Sequence, residues 1–163
     1  MILPFIINNF NILNLESNNK IKIIGSNRKV NFQYEILQRF EAGLVLQGTE
    51  VKALRESKVN LQDAYGKFLG SEFWLINAHI SEYKFGNLNN HEPLRNRKLL
   101  FNKKELRKIK SQLDERGLTM VPSKIYFKGS LIKIEMCIAR GKKLYDKRES
   151  IKLRETERKL KRF

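Results

Sequence analysis

The sequence predicts a mainly β fold with short helices, an OB-like closed barrel of about six strands flanked by two or three helices. Short alternating segments, glycine-marked turns and one strongly amphipathic helix support this class in a chain of 163 residues. Hydrophobic residues make up 41% and charged residues 31% of the chain, which is usual for one folded domain. Short strands separated by helices in an irregular order favour an OB-like barrel over a sandwich.

The chain divides by composition into three segments. Residues 1–26 are expected to form a weakly structured N-terminal extension, because Asn interrupts apolar runs that are too short to span a bilayer. This stretch has neither the basic start of a secretory signal nor the Arg and Ser content of a transit peptide. Residues 27–139 carry the patterns of a folded domain. Residues 140–163 form a basic C-terminal tail that is expected to be disordered.

The first half of the folded domain reads as strands around one short helix. Tyr34, Ile36 and Phe40 alternate in "YEILQRFEAGLVLQG", which is typical of a strand with one buried face. Thr49 is a candidate N-cap for the helix in "EVKALRES". The following segment "DAYGKFLGSEFWLINAHISEY" predicts two strands joined by a turn at Gly70.

The second half combines a long loop, a helix and a hairpin. The segment "KFGNLNNHEPLRNRK" has no periodicity and predicts an irregular loop of the length that is often functional. Asn102 and Glu105 match a capping box before a helix, and Gly117 marks its end. The apolar stripe of this helix consists of Leu106, Ile109 and Leu113. Two further strands are expected around Lys128-Gly129-Ser130.

The charge balance points to a polyanionic partner. The chain has 33 Lys and Arg against 17 Asp and Glu, a net charge of +16. The last 24 residues hold eleven of the basic and four of the acidic residues, so both tail and body are cationic. Nucleic acid is the commonest partner of such a field, while acidic lipid or an acidic protein satisfies the same electrostatics.

No residue pattern indicates catalysis, a metal site or a cofactor. His79, His91 and the single cysteine, Cys137, do not have metal-ligand spacing. Cys137 lies in an apolar run and is expected to be buried. Glu41, Glu50 and Asp63 could hold magnesium, but pairing with nearby Arg or Lys is the favoured interpretation in so basic a chain. The sequence therefore favours a binding protein over an enzyme.

The loop before the amphipathic helix has the densest mixture of cations and apolar residues in the body. Exposed aromatics can stack on RNA bases while Arg and Lys hold the backbone. A solvated loop followed by an ordinary capped helix explains the same composition equally well. The residues concerned are Arg95, Arg97, Lys98, Leu100, Phe101, Lys103 and Lys104.

Several long blocks of the sequence resemble the SmpB, or SsrA-binding protein, family. These blocks are "FEAGLVLQGTEVKALRE", "NLQDAY", "LINAHISEY", "HEPLRNRKLL" and "ARGKKLYDKRESIKLRE", and they extend from about Asn27 to Glu155. The resemblance implies an OB-like barrel that binds the tRNA-like domain of transfer-messenger RNA (tmRNA). It also implies delivery of that RNA, with elongation factor Tu, to stalled ribosomes for trans-translation, without enzymatic activity.

The resemblance also implies particular binding residues. Glu41, Leu100 and Asn102 match the RNA-binding cluster of the family, although Glu41 could instead pair with Arg39 or Lys52, Leu100 could be core, and Asn102 could simply cap a helix. Basic side chains near them would hold the phosphate backbone, and Phe32 stands where the family usually has His. The complete predicted RNA-binding set is Phe32, Glu41, Lys52, Arg55, Arg95, Arg97, Lys98, Leu100 and Asn102.

The basic tail is expected to contact small-subunit ribosomal RNA. In the family it becomes a helix in the empty mRNA channel, and counterion release would favour this binding. Thr156 stands where some members have an aromatic residue midway along the tail. The predicted ribosome-binding residues are Gly141, Lys142, Lys143, Asp146, Lys147, Arg148, Lys152 and Arg154.

Two other functions remain open at this point. A general structured-RNA or ribosome-binding OB protein would use the same surface without specificity for tmRNA. A membrane-surface protein would use the basic tail, but the tail has no Leu, Trp or Phe face suited to an interface. The protein is expected to act as a monomer in the bacterial cytoplasm, with a plastid-type organelle as the alternative compartment.

Overall fold

The computed structural model describes residues 21–86, 89–143 and 156 of the chain. Within them, three helices accompany nine strands. The helices are α1 (Val30–Gln33), α2 (Gly48–Arg55) and α3 (Lys103–Leu113). The strands are β1 (Ile21–Ser26), β2 (Tyr34–Leu44), β3 (Val59–Asn60), β4 (Tyr65–Leu69), β5 (Glu72–Ile76), β6 (His79–Ile80), β7 (Arg97–Leu100), β8 (Leu118–Lys128) and β9 (Leu131–Gly141). The mainly β prediction with few short helices is confirmed.

Seven of the described strands form one antiparallel sheet in the order β1-β8-β4-β5-β7-β2-β9. Because β9 also pairs with β8, the pairings from β8 through β4, β5, β7, β2 and β9 return to their starting strand. The β4–β8 junction of this ring rests on one pair, Gly66 with Met120. Strands β3 and β6 form a separate two-stranded sheet.

The inward faces of these strands and one face of α3 build the main core. Phe73, Leu99 and Ile134 are buried within it, and Ile109 brings α3 against the same cluster. A Cβ on Gly66 would lie 2.5 Å from the Phe73 ring, so only glycine fits at this point of the ring of strands. The strand alternation leaves every second side chain of β2, β8 and β9 on the outer face.

The local sequence signals are confirmed at both hairpins and at the main helix. Gly70 and Gly129 have φ values of 64° and 60°, the left-handed conformation that glycine adopts at little cost. Asn102 and Glu105 form the expected reciprocal capping box at the start of α3. The free thiol of Cys137 is buried, as its apolar surroundings predict.

The predicted start of one helix is wrong, and one strand begins earlier along the chain than the composition indicates. Strand β1 falls inside the N-terminal extension expected over residues 1–26 and pairs with β8 from Ile21–Lys128 to Ser26–Lys124. Helix α2 begins one residue before Thr49, and its N-cap is Gln47, whose side chain accepts from the backbone of Glu50. Residues 1–20 lie outside the described residues. Nearly all of the basic tail also lies outside the described residues, so the expectation that the tail is disordered stays a prediction.

Candidate nucleic-acid interface

Glu41 places a carboxylate on the outer face of β2, where Tyr126 and Lys128 of β8 contact it. The Tyr126 hydroxyl donates to one oxygen over 2.5 Å, and Lys128 Nζ lies 3.3 and 3.4 Å from the two oxygens. The Tyr126 hydrogen bond lowers the pKa of Glu41 against the opposing effect of burial, and Lys128 and Lys133 lower it further. The carboxylate is therefore anionic at neutral pH, oriented, and still 39% exposed.

Strand register places Leu100 on the same face as this carboxylate. Gly43 of β2 pairs with Leu100 of β7, and the strands run antiparallel. Continuing the same register by two positions sets Asn102 opposite Glu41, just past the end of the ladder. The Leu100 side chain is 50% exposed, an apolar group presented to solvent beside a polar pair. Leu100 therefore shares this outer face with Glu41, and the extended register directs Asn102 toward the same face.

An apolar groove and a polar depression adjoin at this face. The groove has a volume of about 330 Å³ and the depression about 390 Å³. They share Ser130, Leu131 and Lys133, which belong to the turn and first residues of β9. The groove is lined further by Gly43, Leu44, Leu46, Val51, Leu100 and Ile132, and the depression by Glu41 and Lys128.

The side-chain amide of Asn102 caps helix α3 through its oxygen and has an NH₂ group that can donate a further hydrogen bond. Its side-chain oxygen accepts from the backbone of Glu105, whose carboxylate accepts from the Asn102 backbone N–H at 3.1 Å. This reciprocal cap occupies the oxygen and leaves the NH₂ group to donate elsewhere. Asn102 is exposed and lies two residues after the exposed Leu100.

Arg97 does not lie on this face, and its prediction as a phosphate contact is at odds with the structure. Its side chain has no exposed area and pairs with Glu50, also fully buried, at 2.8 Å. The remaining guanidinium N–H groups donate to the carbonyls of Ala78, Arg95 and Pro93. A guanidinium so enclosed fixes the loop between β6 and β7 and has no path to an external phosphate.

Arg95 is largely committed to the same buried carboxylate. Its Nε and Nη2 donate to the two oxygens of Glu50 at 2.8 and 2.5 Å, a bidentate geometry. Burial alone would raise the pKa of Glu50, but hydrogen bonds from Arg95 and the Gln47 backbone, with the charge of Arg97, lower it overall. The expectation that Glu50 pairs with nearby Arg is confirmed. Arg95 keeps only a partly exposed edge for a ligand.

Three other predicted cations remain at the surface. Lys52 and Arg55 are exposed on α2, and Lys52 Nζ lies 5.2 Å from the centre of the Tyr83 ring. Lys98 on β7 forms an ion pair with Glu72. Surface ion pairs of this kind are weak, so Lys98 can exchange Glu72 for a phosphate at small cost.

Phe32 lies at the other end of β2, away from Glu41. It belongs to α1, which ends at Gln33 directly before Tyr34. Glu41 lies seven positions after Tyr34 along β2, roughly 23 Å away. The chain leaves β9 here, since Tyr34 pairs with Gly141. The Lys142 backbone donates to Gln33 and its Nζ to Asn31. Phe32 thus neighbours the base of the tail, and the predicted RNA-binding set divides between two ends of the molecule.

Most predicted tail residues lie outside the described residues. These are Asp146, Lys147, Arg148, Lys152 and Arg154. Gly141, Lys142 and Lys143 are described and are exposed or half-buried at the end of β9.

Sequence reasoning missed Tyr126, Lys128, Leu131 and Lys133. Each lies within five residues of the Lys128-Gly129-Ser130 turn, which the sequence did identify. Their alternation along a predicted strand was visible, but their proximity to Glu41 depends on β9 lying between β2 and β8. Over residues 21–86, 89–143 and 156, no three His, Cys, Asp or Glu side chains converge as metal ligands, and no helix is long and apolar enough to cross a membrane.

Fold and site together define a class: a basic, mainly β protein whose outer face sets an ordered carboxylate and exposed leucines among lysines. Comparison with known proteins narrows this class. The family described as "SmpB protein" matches residues 24–163. The chain therefore belongs to the SmpB protein family.

Individual relatives agree with this assignment. The SsrA-binding protein of Trichodesmium erythraeum (strain IMS101) is 51% identical over 142 residues, 86% of this chain and 91% of that protein. The SsrA-binding protein of Carboxydothermus hydrogenoformans is 50% identical over 139 residues, 85% of this chain and 93% of that protein. A solved structure described as "tmRNA-SmpB: a journey to the center of the bacterial ribosome" has a TM-score of 0.64 at 41% identity, covering 78% of this chain and 93% of that one.

Proposed function

We propose that this protein binds the tRNA-like domain of tmRNA and delivers it to stalled ribosomes for trans-translation. The observation that carries the proposal is the union of Glu41, Leu100 and Asn102 on one outer face, at the end of β2 opposite the tail base. An RNA-binding surface and a ribosome-binding tail need such separation in order to engage two partners at once. The names of the relatives, SsrA-binding protein and tmRNA-SmpB, support the same partners.

The ring of paired strands acts as a closed OB-like barrel that holds this face rigid. Support comes from the pairing of β8 with both β9 and β4. The working domain extends from β1 to the end of β9, so it begins earlier than the composition suggested. Oligonucleotides bind barrels of this kind on an open strand face and the loops beside it.

Glu41, Leu100 and Asn102 contact the bases and sugars of the RNA rather than its phosphates. A carboxylate repels phosphates, so Glu41 accepts hydrogen bonds from base or sugar donors. Asn102 supplies the complementary NH₂ donor, and Leu100 with Leu131 packs against apolar ring surface. Lys128, Lys133, Lys52 and Arg55 neutralise the backbone on either side.

The tail acts on the second partner. Its cations contact small-subunit ribosomal RNA in the vacant mRNA channel, with affinity gained from counterion release. The protein works as a monomer in the bacterial cytoplasm, in a delivery complex with elongation factor Tu, and catalyses no reaction itself. The plastid-type organelle stays the alternative compartment.

A gel-shift titration at several salt concentrations tests the RNA partner. The wild-type protein is titrated against the tRNA-like domain of tmRNA and an unrelated structured RNA of equal length. We expect a preference of about tenfold or more, roughly 1.4 kcal/mol, that persists as salt rises. Equal binding of both RNAs with a common salt slope would instead identify a general structured-RNA binder, which the net charge of +16 makes the second candidate.

Deletion of residues 144–163 tests the tail separately. The truncated protein keeps the described domain, so its preference for the tRNA-like domain is expected to persist. Its co-sedimentation with small ribosomal subunits should fall strongly. Undiminished co-sedimentation would contradict the assigned role of the tail.

A further inference from the structure

An aromatic pair, the half-buried Tyr83 and the exposed Phe85, occupies the loop that follows β6. The rings of Tyr83 and Phe85 meet edge to face with centres 5.6 Å apart. The Phe85 side chain is 69% exposed, the largest value among the exposed large hydrophobic residues of the described chain. Phe85 therefore presents an apolar ring face to solvent next to the half-buried ring of Tyr83.

The backbone beneath this pair is tied down. Asn90 holds both ends of the Tyr83 peptide, with Oδ1 accepting from Tyr83 N–H at 3.1 Å and Nδ2 donating to Tyr83 C=O at 2.8 Å. The Gly86 N–H donates to the same carbonyl at 2.8 Å and closes a tight turn. His91, which follows Asn90, is buried, and its ring is hydrogen-bonded to the Thr49 hydroxyl and to the Ile80 carbonyl. Phe85 is thus presented by an ordered turn anchored in the core.

Two lysines flank the rings and connect them to the groove. Lys52 Nζ lies 5.2 Å from the Tyr83 ring centre and Lys84 Nζ 5.9 Å from that of Phe85. Lys52 directly follows Val51, which lines the apolar groove of the candidate interface. The aromatic pair therefore lies beside the proposed RNA-binding face. The two lysines are placed to hold a phosphate. The exposed Glu82, directly before Tyr83, carries the opposite charge.

We propose that Tyr83 and Phe85, flanked by Lys52 and Lys84, form a base-stacking platform for an unpaired nucleotide of the bound RNA. The inference rests on the proposed function and extends its interface. Every base offers a π face to an aromatic ring, and the adjacent phosphate pairs with a lysine, so the platform accepts any unstacked base. Stacking adds affinity that salt does not screen, unlike the lysine contacts.

The test replaces the most exposed ring in the full-length protein. Phe85→Ala is expected to weaken binding of the tRNA-like domain about five- to 100-fold, with an unchanged slope of affinity against salt. Phe85→Trp should restore the affinity, and its fluorescence should fall on RNA binding, read against the wild-type signal of Trp74. Leu37→Ala is the matched control, because Leu37 is also exposed, at 47%, but lies on β2 near the tail base.

The outcomes separate the platform from the function on which it rests. If F85A binds both the tRNA-like domain and the unrelated RNA as tightly as L37A does, the platform is overturned. Quenching and rescue by F85W, with loss in F85A, support it. The preference of the wild-type protein for the tRNA-like domain is a separate reading, so the proposed function can fail while the comparison of F85A with L37A still decides the platform.

Discussion

The hydroxyl of Tyr126 donates a 2.5 Å hydrogen bond to the carboxylate of Glu41, 85 positions earlier in the chain. The two residues belong to β8 and β2, which do not pair with each other, because β9 lies between them. The bond therefore crosses a whole strand on the outer face. It orients an anionic acceptor that the surrounding lysines alone would leave free to rotate.

Replacing Glu41 with Gln should weaken binding to the tRNA-like domain about 10- to 100-fold, because a hydrogen bond to a charged group contributes about 1.5–3 kcal/mol. The unfolding midpoint in urea should fall only slightly at neutral pH, because Gln keeps an oxygen that accepts from Tyr126 and the lost charge is partly exposed. Glu35→Gln is the matched control, an exposed glutamate near the other end of β2. Equal effects of the two replacements on RNA affinity would remove Glu41 from the interface.

Tyr126→Phe should flatten the pH dependence of stability at both extremes. The folded protein lowers the pKa of Glu41, so this stabilisation is complete above the unfolded value of 4.5 and is lost as pH falls through the lower folded value. Burial and the Glu41 carboxylate raise the pKa of Tyr126, so its stabilisation is present below the unfolded value of 10.0 and is lost at higher pH.

Urea unfolding measured from about pH 3 to pH 10.5 checks this prediction. The difference in stability between wild type and Y126F should be largest near neutrality and smaller at either end. A difference that stays constant across the range would show that the bond does not couple the two ionisations.

Arg97→Ala should lower the free energy of unfolding by about 3–5 kcal/mol, because it leaves the buried charge of Glu50 with one partner fewer. Denaturant titration measures the change. Arg55→Ala, on the exposed face of α2, should stay within about 0.5 kcal/mol of wild type. The double variant with Glu50→Gln and Arg97→Met should recover part of the loss, since the two groups interact directly. A small effect of R97A would contradict its placement in the core.

Asn102→Asp should separate capping from RNA recognition. Aspartate caps a helix as well as asparagine and interacts favourably with its N-terminus, so thermal stability should be retained. The NH₂ donor is lost, and affinity for the tRNA-like domain should fall at least tenfold, or about 1.4 kcal/mol. Asn102→Ala is the comparison, because it should lose affinity and also about 1 kcal/mol of stability. Full RNA affinity in N102D would reduce Asn102 to a helix cap.

Local sequence signals predicted the elements whose cause is local. The capping box of α3, its stripe around Ile109 and the glycine turns at Gly70 and Gly129 depend on residues a few positions apart. Long blocks shared with a family supplied Glu41, Leu100 and Asn102, and strand register explains why Leu100 lies on the same face as Glu41.

Features that depend on distant partners escaped prediction. Arg97 reads as a surface cation in "RNRK", and only Glu50, 47 positions away, makes it a core residue. Strand β1 has little alternation of its own and is recognisable through its pairing with β8. The separation of Phe32 from Glu41 follows from the length of β2, which spacing in the sequence does not reveal.

The long pairing of β2 with β9, interrupted by one irregularity between Ile36 and Gln38, sets the distance between the two ends of these strands. Nine register pairs, from Tyr34–Gly141 to Gly43–Lys133, fix the interval between the carboxylate end and the point where the tail departs. Lengthening both strands by two residues would keep every side chain on its face and increase the distance between their ends by about 7 Å. A change of one residue would move the following side chains to the opposite face. The length of β2 and β9 thus sets the distance between the RNA bound at Glu41 and the ribosomal RNA bound by the tail.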